Sequence, residues 1–116
     1  TMNMQNIQNQ DKRSHIRIPS SRPLILIVNK QNIYATMTDF SLHGIGFMAE
    51  AQPQLHSTVE IHFDLPEDVT SHAVHPFQFK AEVIHCIDCH ESNHIGVRLE
   101  LPTKEYMQLF DKLTAG

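Results

Sequence analysis

Three short groups of residues in this sequence carry side chains whose types and spacing could do chemistry. Arg13-Ser14-His15-Ile16-Arg17 sets two guanidinium groups four residues apart, with Lys12 just before them. Asp39-Phe40-Ser41-Leu42-His43-Gly44 collects a carboxylate, a hydroxyl and an imidazole on a segment of turn composition, since Asp and Ser bond nearby backbone and Gly tolerates unusual dihedrals. His85-Cys86-Ile87-Asp88-Cys89-His90 holds a CxxC pair and the CxxCH spacing of c-type haem attachment. A guanidinium fork matches the oxygens of a phosphate, and the second group reads as a functional turn. The basic first group suits a compact ligand with one or two phosphates.

The other readings of these residues are weaker. Asp39, Ser41 and His43 are the residue types of a hydrolytic triad, but side chains two apart on a tight turn do not meet in triad geometry, and no oxyanion element is recognisable. No enzyme activity is expected. In an extended strand Cys86 and Cys89 point to opposite faces, so a zinc site using His85, Cys86, Cys89 and His90 requires a sharp bend. Haem attachment requires export, and the polar, Asn- and Gln-rich first twenty residues lack the apolar stretch of a secretory signal. A cytoplasmic protein with two reduced thiols is expected. The binding of a metal through Cys86 and Cys89 stays open as a lesser alternative.

Charge narrows the partner. The net charge of −4 comes from 9 basic and 13 acidic residues, unevenly placed. Lys12, Arg13, Arg17 and Arg22 precede position 23, and the remaining body is acidic. An acidic body repels a nucleic-acid backbone, and duplex binding needs phosphate contacts across a wide basic face. No nucleic-acid partner is expected. The apolar run Leu24 to Val28 is far short of the roughly 20 residues of a membrane helix, so no membrane insertion is expected either.

The elements that must position these groups are mostly strands. Period-two alternation runs through 23–30, 33–40 and 45–50, with Gln31 and Asn32 as the first turn and 41–44 as the second. Val59, Ile61, Phe63 and Leu65 alternate with polar residues, and Pro66 to Pro76 reads as a loop. Phe77, Phe79, Ala81, Val83 and Ile87 form one face of a further strand, opposite Gln78, Lys80, Glu82 and Cys86. Asp88 to Asn93 reads as a hairpin tip before Ile95, Val97, Leu99 and Leu101. Thr103 is placed to cap a helix over about 103–114 carrying Tyr106, Leu109, Phe110 and Leu113 on one stripe. Six strands that close on themselves hide their edges. The expected fold is all-β with one C-terminal helix: a six-stranded antiparallel barrel over about 23–101, a flexible segment over 1–10, and one domain over 11–116.

The RxxxR spacing of Arg13 and Arg17, followed by the DxSxxG spacing of Asp39, Ser41 and Gly44 within a six-stranded pattern, resembles the PilZ family of bacterial cyclic di-GMP receptors. The resemblance covers about residues 11 to 101, and Ile95-Gly96-Val97-Arg98 also looks like the family's last strand. It implies a ligand site in which Arg13 and Arg17 contact guanine and phosphate, Asp39 accepts from the guanine N1–H and amino group, Ser41 donates to a phosphate or base oxygen and Gly44 permits the turn and close approach of ligand, with no other cofactor and signalling through an unidentified protein partner. Lys12, His43 and Arg98 are secondary candidates for ligand contact. The expected mechanism is ordering of a mobile arm, residues 1–22, on the barrel when ligand binds. The rival from a different class is the metal or haem chemistry of Cys86 and Cys89, and the more serious alternative is a PilZ-fold interaction adaptor that binds no nucleotide.

Overall fold

Alternating apolar side chains in strands long enough to share one interior produce a closed barrel. The structure, a computed structural model, describes residues 16–70 and 72–115. Lys12, Arg13 and the segment 1–10 lie outside the described residues. The strands are β1 (Ile18–Pro19), β2 (Pro23–Val28), β3 (Gln31–Phe40), β4 (Gly44–Ala49), β5 (Thr58–Pro66), β6 (Val74–Asp88) and β7 (Asn93–Leu99), followed by helix α1 (Lys104–Thr114). All pairings are antiparallel, and the order β3-β2-β5-β6-β7-β4 returns to β3, which closes six strands into a barrel. The two-residue β1 continues the line of β2 along β3, pairing Ile18 with Phe40 and Pro19 with Asp39.

Inside, Leu24, Leu26, Met37, Phe47, Ile61, Leu65, Val83, Ile95 and Val97 are essentially inaccessible to solvent. Helix α1 covers one end of this interior. Its N-cap Thr103 accepts a hydrogen bond from the Tyr106 amide at 3.1 Å, which satisfies one of the free amides of the first turn. Tyr106, Leu109 and Phe110 are its buried stripe, and the Tyr106 ring meets Phe63, Phe77 and Phe79 edge-on at 5.2–6.3 Å.

Several expectations from the sequence are corrected. The first hairpin turns at Asn29-Lys30, both at positive φ (50° and 67°), with Val28 opposite Gln31. Two left-handed residues give a hairpin connection whose twist matches its strands, so Gln31 and Asn32 belong to β3. The loop expected over Pro66 to Pro76 is shorter, because Pro66 pairs with Val74. Register shifts between Val83 and His85, so Ile84 is an inserted residue and the alternation inverts beyond it. Cys86 therefore packs against the core while Ile87 is 54% exposed, the reverse of the assignment from uninterrupted alternation. Leu101 lies beyond the last strand and is exposed. The arm is also shorter than expected: Ile18 packs on the core, the Ser20 amide donates to the Thr38 carbonyl, and the Met37 amide donates to the Arg22 carbonyl.

Thr103→Ala removes the cap of α1. A loss of about 1 kcal/mol in unfolding free energy is expected, read as a lowered urea midpoint with unchanged slope.

Candidate ligand-binding site

The site is assembled where β1, the β3–β4 turn, β6 and β7 meet on the outside of the barrel. The register of β1 on β3 carries Arg17 to the start of that turn. Arg17 Nε donates to Asp39 Oδ1 at 3.1 Å and Nη2 donates to the same oxygen at 2.5 Å. About half of the Arg17 side chain and 29% of that of Asp39 remain open to solvent, so both can exchange partners.

The turn itself is held rigidly. Ser41 is buried, and its Oγ accepts from the Gly44 amide at 3.0 Å and lies 3.2 Å from the Gly44 carbonyl oxygen, to which it donates. The Ser41 amide donates to that carbonyl as well. Leu42 is buried in the core, and the His43 carbonyl accepts from the Leu99 amide on β7. From below, the Tyr106 hydroxyl donates to the Ser41 carbonyl at 2.6 Å. Burial pushes the Tyr106 hydroxyl far above the ordinary phenol range, so it remains a donor. Gly44 does not serve by a left-handed backbone, since no described glycine has positive φ. A Cβ there would lie 3.2 Å from the Val97 carbonyl oxygen and 3.9 Å from Arg17 Nη1, so space is the constraint.

Beside the turn, Gly46 of β4 stands opposite Gly96 of β7, and two bulges aim side chains over this bare patch. The bulge in β3 falls between Met37 and Asp39, and the one in β6 falls just before His85. A Cβ on Gly96 would fall 2.2 Å from His85 Cε1, and one on Gly46 would fall 2.8 Å from Asp39 Oδ1. The His85 and His94 rings lie there nearly parallel, 19° apart, with centroids at 5.1 Å and their nitrogen edges facing each other. Burial, then His94 and Arg17, lowers the pKa of His85 from the ordinary histidine value. At the rim, Arg98 bonds Glu82, which also bonds His56, and both contacts lower the pKa of Glu82.

Arg17, Asp39, Gly44, His85, His94 and Arg98 line an open depression of about 330 Å³. Volume alone does not select it, since depressions of about 350 and 380 Å³ lie on other faces. The former is lined by Glu50 and Glu91 with no cation, and in the latter Arg22 Nε donates to the Asp64 carbonyl. The depression at Arg17 alone among these three brings two arginines, Arg17 and Arg98, beside a carboxylate, that of Asp39, whereas the one at Arg22 holds a single arginine beside Asp64.

The PilZ domain model matches residues 11–116. The chain belongs to the PilZ family. No curated protein matches it. Among solved structures, this PilZ fold is similar to the Bacillus subtilis inhibitor of motility (MotI/DgrA), with a TM-score of 0.70 and 13% identity over 82% of this chain and 46% of that one. It is also similar to the Borreliella burgdorferi PlzA protein in complex with c-di-GMP, with a TM-score of 0.61 and 10% identity over 92% of this chain and 52% of that one. The PilZ domain of Escherichia coli YcgR, solved with c-di-GMP, gives 0.60 and 17% identity over 84% of each chain. The chain spans about half the length of the first two. These likenesses show the fold.

Of the residues singled out in the sequence, the structure brings together Arg17, Asp39, Ser41, His43, Gly44 and Arg98. Cys86 and Cys89 do not form a centre: Cys86 is half-buried on the core, where burial and Asp88 raise its thiol pKa, and Cys89 is exposed beyond the end of β6. Among the described residues no three His, Cys, Asp or Glu groups converge as metal ligands. The sequence reading missed Thr38, His94 and the pairing of Gly46 with Gly96, and considered His85 only as a zinc ligand. Gly46 and Gly96 inside strands were the available signal, because an interior strand glycine marks close approach of other groups.

Tyr106→Phe tests the brace beneath the turn. It leaves the buried Ser41 carbonyl without its donor at nearly constant packing, and a loss of about 1–3 kcal/mol is expected, measured by chemical denaturation.

Proposed function

We propose that this chain is a cyclic di-GMP receptor that acts through a protein partner. The observation that carries the reading is the Arg17–Asp39 pair beside the rigid turn at Gly44. One guanidinium and one carboxylate, both partly open to solvent, offer the complementary donors and acceptors that a guanine and a phosphodiester require. Arg17 takes guanine O6 and N7 or a phosphate, and Asp39 takes guanine N1–H and the amino group. Ser41, whose hydroxyl bonds within the turn, contributes by holding that turn, and Gly44 by leaving it bare. Membership of the PilZ family and the c-di-GMP complexes of PlzA and YcgR support the ligand identity.

Arg13 and Lys12 enter from the preceding segment. Because Ile18 already pairs with Phe40, the change on binding is confined to the chain N-terminal to Arg17, which the ligand draws against the β3–β4 turn. His43 and Arg98 flank the depression and extend the contact surface. Signalling strength is set by the difference in ligand affinity between the two positions of this segment, not by the total affinity. The chain is proposed to work in the cytoplasm without catalysis, its reshaped surface being read by a partner.

Calorimetric titration of cyclic di-GMP tests this reading. Saturable binding is expected, unaffected by excess GTP and weakened about tenfold to a hundredfold in Arg17→Ala, the range for loss of one bidentate base contact. No binding to the folded wild-type chain would refute the receptor reading and favour the adaptor.

A further inference from the structure

Two histidines outside both motifs occupy the floor of the proposed site. His85 Nε2 lies 3.1 Å from His94 Nδ1, and His94 Nε2 lies 3.2 Å from Thr38 Oγ1. A hydrogen bond between two imidazoles needs one nitrogen to donate and the other to accept, so this geometry holds one added proton and excludes two. The neutral pair makes both bonds with His85 donating to His94, and both persist when the added proton is on His94. Nδ1–H then donates to neutral His85, Nε2–H donates to the Thr38 hydroxyl, and no N–H of the charged ring is left without a partner.

The groups around the pair decide when this occurs. From the β1 side Arg17 faces it, paired with Asp39 of β3; from β6 and β7, Glu82 and Arg98 are paired at the rim; His43 comes from the turn. Among these described groups each arginine is matched by a carboxylate, so the free site does little to favour a further cation. A cyclic dinucleotide adds two phosphodiester charges beside the pair and draws arginine away from its carboxylate toward phosphate. A proton on the histidine pair then becomes favourable.

We propose that His85 and His94 couple ligand binding to uptake of one proton, held at His94, so that affinity for the anionic dinucleotide rises as pH falls. The sign follows from linkage: ligand that favours the protonated pair must bind more tightly where that pair is protonated, and bound ligand must in turn raise the pair's proton affinity. This proposal rests on the receptor reading, and deepens it by assigning a regulator of the same site.

The test is cyclic di-GMP calorimetry on the full chain between about pH 5.5 and about pH 8, repeated in buffers of different ionisation enthalpy. Uptake peaking at about 0.3 to 0.5 proton is expected, with affinity about threefold to tenfold higher at the acidic end, corresponding to a shift of about half to one pKa unit. His94→Gln keeps hydrogen-bonding capacity but takes up no proton, so it should bind with a flat pH profile, whereas His75→Gln, at a histidine that lies away from the site near Glu67 and Glu105, should keep the wild-type slope. Should His94→Gln fail to fold, imidazole NMR of the wild-type chain reads the same event as an upward-shifted titration of the His94 ring on saturation with ligand. Binding without proton uptake, or a slope that survives in folded His94→Gln, overturns this proposal and leaves the receptor reading intact. Absence of binding at every pH overturns both.

Discussion

A hydrogen bond 2.6 Å long between the Tyr106 hydroxyl and the Ser41 carbonyl ties the helix that closes the barrel to the turn on its outer rim. A turn pressed into a barrel end must bury backbone polar groups, and each one left unpaired costs about 1–3 kcal/mol. Here the partners come from three sources. Tyr106 satisfies Ser41, the β7 backbone satisfies His43, and the Ser41 hydroxyl satisfies Gly44. The turn is thereby fixed before any ligand arrives, and its outer side carries few obligations of its own. The core contacts that place Tyr106, its edge-on approach to Phe63, Phe77 and Phe79, thus also place Asp39.

The charges above that turn have the opposite character. Exposed ion pairs contribute about 0–1 kcal/mol, so exchanging the Arg17–Asp39 contact for contacts to a ligand costs little. A rigid backbone frame with loosely committed charged ends is a sound design for a receptor: the frame limits the ordering cost of binding, and the side chains remain available. The short β1 belongs to the frame, since its register against Phe40 and Asp39 brings Arg17 within reach.

Much of the fold was legible because half-buried strands announce themselves by alternation. Val59 to Leu65 and the Tyr106 stripe needed no further information. Alternation fails where the backbone inserts a residue, and the bulge at Ile84 is such a place. It turns Ile87 outward and Cys86 inward and sends His85 across Gly96. His85 and His94 are nine residues apart in sequence and meet only through that bulge, so no local pattern revealed their pairing. Arg17, Asp39, Ser41 and Gly44 were legible by spacing, but their separate tasks were not. Ser41, read as a donor to ligand, spends its hydroxyl on the turn, and what a side chain at 44 would meet is the tight approach of the Val97 carbonyl, not an unusual dihedral.

The central claim is that ligand binds the outer barrel face framed by Arg17, the 39–44 turn and the Gly46–Gly96 patch. Mapping amide shift changes in a ¹⁵N-labelled chain during cyclic di-GMP titration tests it most directly. The account predicts the largest changes at Arg17, Asp39 to Gly46, His94 to Arg98 and His85, with little change around Tyr34 and Glu50. Changes centred on the Tyr34 face, with the 39–44 turn undisturbed, would contradict it.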